Sequence, residues 1–171
     1  MDANQVLTEC ITNAATELLG FYDITAERAP GPVDVKLLAV IGFASPPMSG
    51  AVGVCCDAAV MRAIWPNVIP MSANEDAFAE PLGELGNQLI GRIKSQLSQY
   101  SVDIQLSVPM VLKGQDLGLV RGVGRVTDVI QLQTTHGQVG AWISCTVDPA
   151  FGFEKSEQDQ LAHEGDFVAF F

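Results

Sequence analysis

Apolar residues recur at helical spacing in two long stretches of the chain. The first covers residues 3–19 and is followed by Gly20, a residue type that often ends a helix. The second begins with a Ser-x-x-Glu capping-box pattern at Ser72 and continues to about Tyr100, with Pro81 marking a kink or a second start. These patterns predict two amphipathic helices, of which the second is the longer.

Alternating and continuous apolar runs elsewhere predict β-strands, separated by turns that contain Gly, Pro or Asp. A short helix is predicted after Asp57, and it ends before Pro66. The predicted strands are 33–44, 51–56, 102–112, about 117–127, about 128–134 and 138–147. This order of elements favours an α+β fold in which helices pack on one face of an antiparallel sheet.

The length and composition of the chain fit one domain with a short extension. The chain has 171 residues, of which 48% are hydrophobic, and it can bury roughly two-thirds of its unfolded surface. We assign residues 1–150 to this domain. Residues 151–171 are assigned to an acidic C-terminal tail that ends in a Phe-rich segment.

The charge of the chain narrows the classes of partner. There are 20 acidic and 9 basic residues, and the net charge of -11 disfavours nucleic acid and anionic membrane surfaces. A protein or a small ligand is the expected partner. No signal-peptide pattern and no run of about 18 apolar residues occurs, so we expect a cytoplasmic protein. The cysteines show no C-x-x-C spacing and are expected to be buried, reduced thiols.

The long helix carries the strongest candidate site. On a helical wheel its apolar residues form one broad stripe, which consists of Leu82, Leu85, Leu89, Ile90, Ile93 and Leu97. Glu80, Glu84, Asn87 and Gly91 lie opposite this stripe. The β-carbons of Glu84 and Asn87 are expected to be about 5–6 Å apart. The pattern predicts that this face is exposed, and such a face is most often only a hydrated surface.

Three glycines in this helix require an explanation. Gly83, Gly86 and Gly91 each cost about 1 kcal/mol of helix stability relative to alanine. Gly86 borders the apolar stripe, so close packing against another backbone explains it. Gly91 lies one turn beyond Asn87 on the exposed face, and it leaves bare backbone where a partner can approach.

Two linked motifs resemble those of a known family. Residues 84–91, ELGNQLIG, with Lys94 after them, are similar to the E-x-x-N-x-x-x-G helix of the CheC/CheX/FliY chemotaxis phosphatases. Residues 107–114, SVPMVLKG, resemble the S-x-P-x-x-x-x-G segment that follows this helix in the family. The resemblance implies a CheC/CheX-like fold over most of the chain, with the acidic tail outside it.

One departure from the family pattern bears on the type of family member. CheC-like members usually carry a second E-x-x-N motif in the first helix. Here Glu9 is followed by Thr12 at that spacing, and Asn13 comes one position late. The chain therefore resembles the single-site CheX type, in which two subunits pair through their sheets, and it is expected to form a homodimer.

The resemblance also implies a reaction, which is hydrolysis of the phospho-aspartate of a CheY-like response-regulator receiver domain. The phosphorylated receiver brings its own Mg²⁺ and lysine, so no metal or cofactor of the phosphatase is implied. Asn87 would position the attacking water, a role that suits an amide because it both donates and accepts hydrogen bonds. Glu84 would pair with the receiver's lysine, and Glu80, Gly91 and Lys94 would contact the partner.

Two other interpretations remain open. A non-catalytic adaptor that binds a receiver in chemotaxis or two-component signalling would carry the same motifs. A glycoside hydrolase would use Glu80 and Glu84 as paired carboxylates, although two acids one turn apart on one helix cannot readily flank a bond. His136 and His163 are expected to be solvent-exposed and without a catalytic role.

Overall fold

An antiparallel sheet with helices on one of its faces forms the framework. The computed structural model describes residues 2–30, 36–114, 117 and 126–155. Its helices are α1 (Ala3–Phe21), α2 (Ala58–Ile64) and α3 (Ala79–Ser98), and a 3-10 turn (Glu75–Phe78) precedes α3. Its strands are β1 (Ala26–Arg28), β2 (Leu37–Ser45), β3 (Met48–Cys56), β4 (Gln105–Leu106), β5 (Met110–Lys113), β6 (Val126–Thr134) and β7 (Gly137–Val147). The predicted α+β fold class is confirmed.

The strand order is β1-β6-β7-β3-β2-β4, and β5 also pairs with β2. All pairings among the described strands are antiparallel. β2 and β3 form the predicted hairpin, in which Ser45 pairs with Met48 across the two prolines of the turn. β4 and β5 therefore lie at the end of the sheet that carries β2.

Successive residues of a strand point to opposite faces of the sheet, so alternate residues can form an apolar face. The helices pack on one such face. Ala39 and Ile41 of β2, with Val52 and Val54 of β3, point toward the helices and are buried. α1 contacts β6 and β7, and α3 contacts β2 and β3. The two long helices also contact each other. α3 is thereby fixed on the half of the sheet that carries β4 and β5.

The start of α3 differs in detail from the sequence-based prediction. Asn74, not Ser72, is the N-cap residue of the 3-10 turn, and its side chain accepts a hydrogen bond from the backbone N–H of Ala77. The capping box predicted at Ser72 was therefore wrong. Pro81 lies in the first turn of α3, where a missing N–H costs nothing because no helical partner exists there. Of the two predicted roles of Pro81, the start of a helix after the 3-10 turn is therefore correct, and a kink within a helix is not.

Three strand predictions need correction. The predicted strand 102–112 is two short strands, β4 and β5, which are separated at Pro109 because proline cannot donate to the ladder. β6 passes through Asp128 without a break, since its pairing with the long β7 overrides the turn preference of aspartate. The short β1 was not predicted. Most of the predicted strand 117–127 lies outside the described residues.

The described part of the predicted C-terminal tail packs against the domain. Phe153 is buried, and its ring makes edge-to-face contacts with the rings of Tyr100 and Phe151 at centroid distances of 5.6 Å and 5.0 Å. Such pairs stabilise a core beyond the burial of their area. Residues 156–171, which include the Phe-rich end, lie outside the described residues.

Candidate functional site

The helix α3 separates a buried face from an exposed one, as predicted. The six residues of the predicted apolar stripe are all buried. Glu80, Glu84, Asn87 and Gly91 are exposed and follow one line along the helix. The structure thus brings four of the five predicted site residues onto one solvent-facing strip.

The three glycines of α3 have three different surroundings. A β-carbon at Gly86 would lie 2.9 Å from Ile41 Cδ1 and 3.4 Å from Ala39 Cβ, so this glycine lets the helix approach β2 closely. A β-carbon at Gly83 would meet Val111 and Pro109 only at ordinary contact distances of 3.8 and 4.0 Å. A β-carbon at Gly91 would have no neighbour within 4 Å among the described residues. The predicted open surface at Gly91 is confirmed, and so is close packing at Gly86, although its neighbours are side chains of β2 and β3 and not the predicted backbone.

The carboxylate of Glu84 is oriented by a chain of hydrogen bonds. Gln88 donates from Nε2 to Glu84 Oε1 at 3.1 Å, and the Tyr22 hydroxyl donates to Gln88 Oε1 at 2.8 Å. Tyr22 follows the last residue of α1, and its ring packs edge-on against Trp65 at 5.8 Å. Contacts between α1 and the segment after α2 therefore restrict the direction in which Glu84 points.

The Asn87 amide is available to bind a molecule from solvent. Its side chain is exposed, and within the described part of the chain it has no hydrogen-bond partner. An unpaired amide keeps two N–H donors and a carbonyl acceptor. It can therefore hold a water molecule and a phosphoryl oxygen at the same time.

An open groove of about 690 Å³ lies beside these residues. α3 forms one wall, the segment after α2 forms another, and the residues before and within β5 form the third. The lining residues are Trp65, Val68, Ala79, Glu80, Pro81, Gly83, Glu84, Asn87, Pro109 and Val111. The candidate site is thus a carboxylate and an amide at the edge of a largely apolar depression.

The second motif explains the position of Pro109 in this groove. Ser107 lies between β4 and β5 and continues their pairing with β2, because its backbone N–H donates to Gly42 O and its Oγ accepts from the Gly42 N–H, both at 2.9 Å. Gly114 donates its N–H to Lys36 O at 3.0 Å. Pro109, between these two anchors, is held against α3.

Lys94 lies one turn beyond Gly91 on the same side of α3, but it differs from the other predicted site residues in having an ion-pair partner. Its side chain is partly exposed, and Nζ forms an ion pair with Asp103 Oδ1 at 2.9 Å. A surface pair of this kind contributes little to stability and can be exchanged for another carboxylate. Its role in binding a partner stays a prediction.

Other reactive groups in the described residues do not assemble a second site. Burial raises the pKa of the Cys10 and Cys55 thiols to about 11, so neither is a thiolate near neutral pH. His136 lies in the turn between β6 and β7, and His163 is outside the described residues. Within residues 2–30, 36–114, 117 and 126–155, no three His, Cys, Asp or Glu side chains cluster as a metal would require. None of the described helices is long and apolar enough to cross a membrane.

A family model described as chemotaxis phosphatase CheX matches residues 37–131, which is more than half of the chain. The chain belongs to the CheX family. The matched region contains α3 and both motifs on which the sequence-based resemblance rested, so that resemblance is confirmed. None of the curated proteins matches the sequence.

Solved structures of CheX-like proteins share the fold at low sequence identity. CheX from Vibrio vulnificus has a TM-score of 0.71 and 15% identity, over 85% of this chain and 99% of that one. CheX from Desulfovibrio desulfuricans gives 0.66 and 16%, over 83% and 99%. The CheX-CheY-BeF3-Mg²⁺ complex from Borrelia burgdorferi gives 0.64 and 14%, over 82% and 97%. These likenesses establish the CheX-like fold of this chain.

Two features of the site were not found from the sequence. The groove depends on Trp65 and Val68, which lie in the segment after α2. No sequence pattern indicates that this segment contacts α3. The hydrogen-bond chain runs from Tyr22, at the end of α1, to Gln88 and Glu84 in α3. Neither helix contains a sequence pattern that indicates this contact. Gly83 was a usable signal, because a glycine beside an apolar helix stripe indicates that something lies against it.

Proposed function

We propose that this CheX family member hydrolyses the phospho-aspartate of a CheY-like receiver domain in the cytoplasm. The observation that carries the proposal is the pair formed by Glu84 and Asn87, which are neighbours on the exposed face of the family's motif helix. Both side chains line one edge of an open groove. A receiver domain can reach them without any rearrangement of the core.

Asn87 is the catalytic residue in this proposal. Its carbonyl oxygen accepts a hydrogen bond from a water molecule and holds that water in line with the bond between phosphorus and the aspartyl oxygen. The water oxygen bonds to phosphorus as this bond breaks, and inorganic phosphate and the receiver's free carboxylate are released. Phosphoryl transfer of this kind depends mainly on alignment and charge stabilisation, which an amide can supply without a strong base.

Glu84 is the docking residue in this proposal. Its carboxylate pairs with the lysine of the receiver's active site, and this contact sets the position of Asn87 over the phosphoryl group. The hydrogen bonds from Gln88, and from Tyr22 to Gln88, restrict the carboxylate before the partner arrives. A restricted group loses less entropy on binding.

The receiver supplies the Mg²⁺ in this proposal. The complex from Borrelia burgdorferi supports this division of roles, because it contains CheY, BeF3 and Mg²⁺ together with CheX, and BeF3 is a chemical mimic of a phosphoryl group. Binding should therefore depend on the phosphorylated state of the receiver. Glu80 and Lys94 lie on the same side of α3 and are proposed as further contacts.

The two alternative interpretations have less support. A non-catalytic adaptor has no need of Asn87, and this amide has no structural hydrogen bond among the described residues. A glycoside hydrolase needs carboxylates on opposite sides of a bond, whereas Glu80 and Glu84 project from the same side of one helix.

Release of phosphate from a panel of phosphorylated receivers, with and without this protein, tests the function. We expect acceleration for at least one receiver, together with tight binding of its BeF3-Mg²⁺ form and weak binding of the unphosphorylated form. Binding without acceleration would establish the adaptor instead. Equal affinity for both forms of the receiver would contradict recognition of the phosphorylated state.

Gly91 offers a test of the docking surface. Gly91→Leu should fold normally, since nothing in the described structure lies within 4 Å of the added β-carbon and leucine gains about 1 kcal/mol of helix propensity over glycine. Its side chain would obstruct the receiver, so the dissociation constant should rise about tenfold or more, as measured by titration with the BeF3-Mg²⁺ receiver. Gly20→Leu in α1 is the matched control, because its β-carbon is equally unobstructed. Unchanged affinity of Gly91→Leu would remove Gly91 from the interface.

A homodimer that pairs through the sheets is also proposed. The face of the sheet opposite the helices carries a cluster of Leu38, Cys55 and Trp142, with exposed Met110 and Val129 on the same face. Apolar residues exposed on a sheet face are typical of an interface. Light scattering at micromolar concentration should give twice the chain mass of 18.2 kDa. A single species with the mass of one chain would contradict the dimer.

A further inference from the structure

The groove beside Glu84 and Asn87 has a chemical character that hydrolysis itself does not require. Its walls outside α3 are apolar and consist of Trp65, Val68, Pro109 and Val111. Val68 is 64% exposed, although valine is a residue type that proteins usually bury. Positioning of a water by Asn87 explains none of these side chains.

We propose that this groove binds an apolar side chain of the phosphorylated receiver, beside its phosphorylation site, and thereby selects which receiver is a substrate. The inference rests on the proposed function. It adds that recognition has two parts, a charged contact at Glu84 common to receivers and an apolar contact in the groove that differs between them. The groove is then a specificity site rather than part of the catalytic machinery.

The groove is continuous with the proposed catalytic face, and this position identifies the receiver as its occupant. Glu80, Glu84 and Asn87 line the groove as well as the face that meets the phosphoryl group. A domain that brings its phosphoryl group to Asn87 must therefore also cover the groove. Burial of an apolar anchor at the centre of such an interface contributes a large share of binding energy.

The chain's own C-terminal segment is a poorer occupant. Residues 156–171 contain four acidic side chains and neither Lys nor Arg, while Glu80 and Glu84 place two carboxylates at the rim of the groove. Like charges at that rim repel the segment. The receiver brings Mg²⁺ and a lysine to the same rim, so its charge is complementary.

Gly83 provides the sharpest variant. Among the described residues, a β-carbon there would meet only Val111 and Pro109, at 3.8 and 4.0 Å, so Gly83→Leu adds a side chain that extends into the groove without a backbone clash. Val68→Gln is the second variant, and it removes apolar surface at an exposed position where folding is unaffected. Met71→Gln, which also replaces an exposed apolar residue but lies outside the groove lining, is the matched control.

The test measures the dissociation constant of the BeF3-Mg²⁺ receiver, with KM and kcat for the phosphorylated receiver. Both groove variants should raise the dissociation constant and KM about tenfold and leave kcat within about twofold, because Asn87 is unchanged. Met71→Gln should match the wild type. If Gly83→Leu does not fold, Val68→Gln decides alone.

Several outcomes would overturn the inference. Unchanged affinity in the folded groove variants, or a loss confined to kcat, would show that the groove does not select the receiver. A synthetic peptide of residues 156–171 that displaced the receiver from the wild type but not from Gly83→Leu would identify the chain's own tail as the occupant. If the wild type binds the receiver without hydrolysing it, and the variants bind it weakly, the proposed function would be contradicted but the role of the groove in binding the receiver would be supported. A wild type that binds no phosphorylated receiver would contradict both.

Discussion

Asn87→Ala should reduce the rate of phosphate release about a hundredfold, which corresponds to about 2.7 kcal/mol of transition-state stabilisation. The alanine keeps the helix and removes only the amide that holds the water. Since Asn87 is exposed and alanine is the better helix former, thermal stability should be unchanged or slightly higher. Binding of the BeF3-Mg²⁺ receiver should survive, so the loss should appear in kcat rather than in KM.

Two further variants separate chemistry from docking. Asn13→Ala makes the same change at an exposed position of α1, where no Glu stands three residues before it, and it should leave turnover unchanged. Glu84→Ala should instead weaken binding about tenfold or more, because the lysine contact exists before the chemistry begins. Full activity of Asn87→Ala would mean that the amide is not the catalytic group, and the mechanism would be abandoned even though the family assignment stands.

The sequence was sufficient for the parts of the fold that depend on local periodicity. The apolar stripe of α3 is continuous over the whole helix, so both its buried face and the exposed line of Glu84 and Asn87 could be predicted. Gly86 could be interpreted because its place beside the stripe already indicated close packing. The assignment of these residues to a family required two motifs in one order, since E-x-x-N alone is common on hydrated helices.

Most of the features that were predicted wrongly or missed depend on partners distant in the chain, and one depends on local backbone conformation. Asp128 has the composition of a turn, yet it lies within β6 because the strand is held by β7 along its full length. Asn74 and Ser72 are both good N-cap residues, and only the local backbone decides between them. The groove was missed for the same reason as the course of β6, because only the tertiary structure brings Trp65 and Pro109 to α3.

The position of the site depends on how closely α3 approaches β2, and Gly86→Leu tests this. Its β-carbon would lie 2.9 Å from Ile41 Cδ1, and Ile41 is itself buried in the core. Overpacking of this kind costs about 1–3 kcal/mol, and the gain of about 1 kcal/mol in helix propensity offsets only part of this cost. The melting temperature should fall by roughly 5 °C, as measured by calorimetry.

Gly91→Leu is the matched control for this loss of stability, because it makes the same change on the same helix where no described atom lies within 4 Å. Its melting temperature should equal or exceed that of the wild type, since only the helix propensity changes. The folded fraction of Gly86→Leu should also turn over more slowly, because a helix displaced from the sheet moves the adjacent Asn87 away from in-line geometry. An unchanged melting temperature would mean that α3 does not lie against β2 at this distance, and the spacing between Asn87 and the groove wall would then have to be revised.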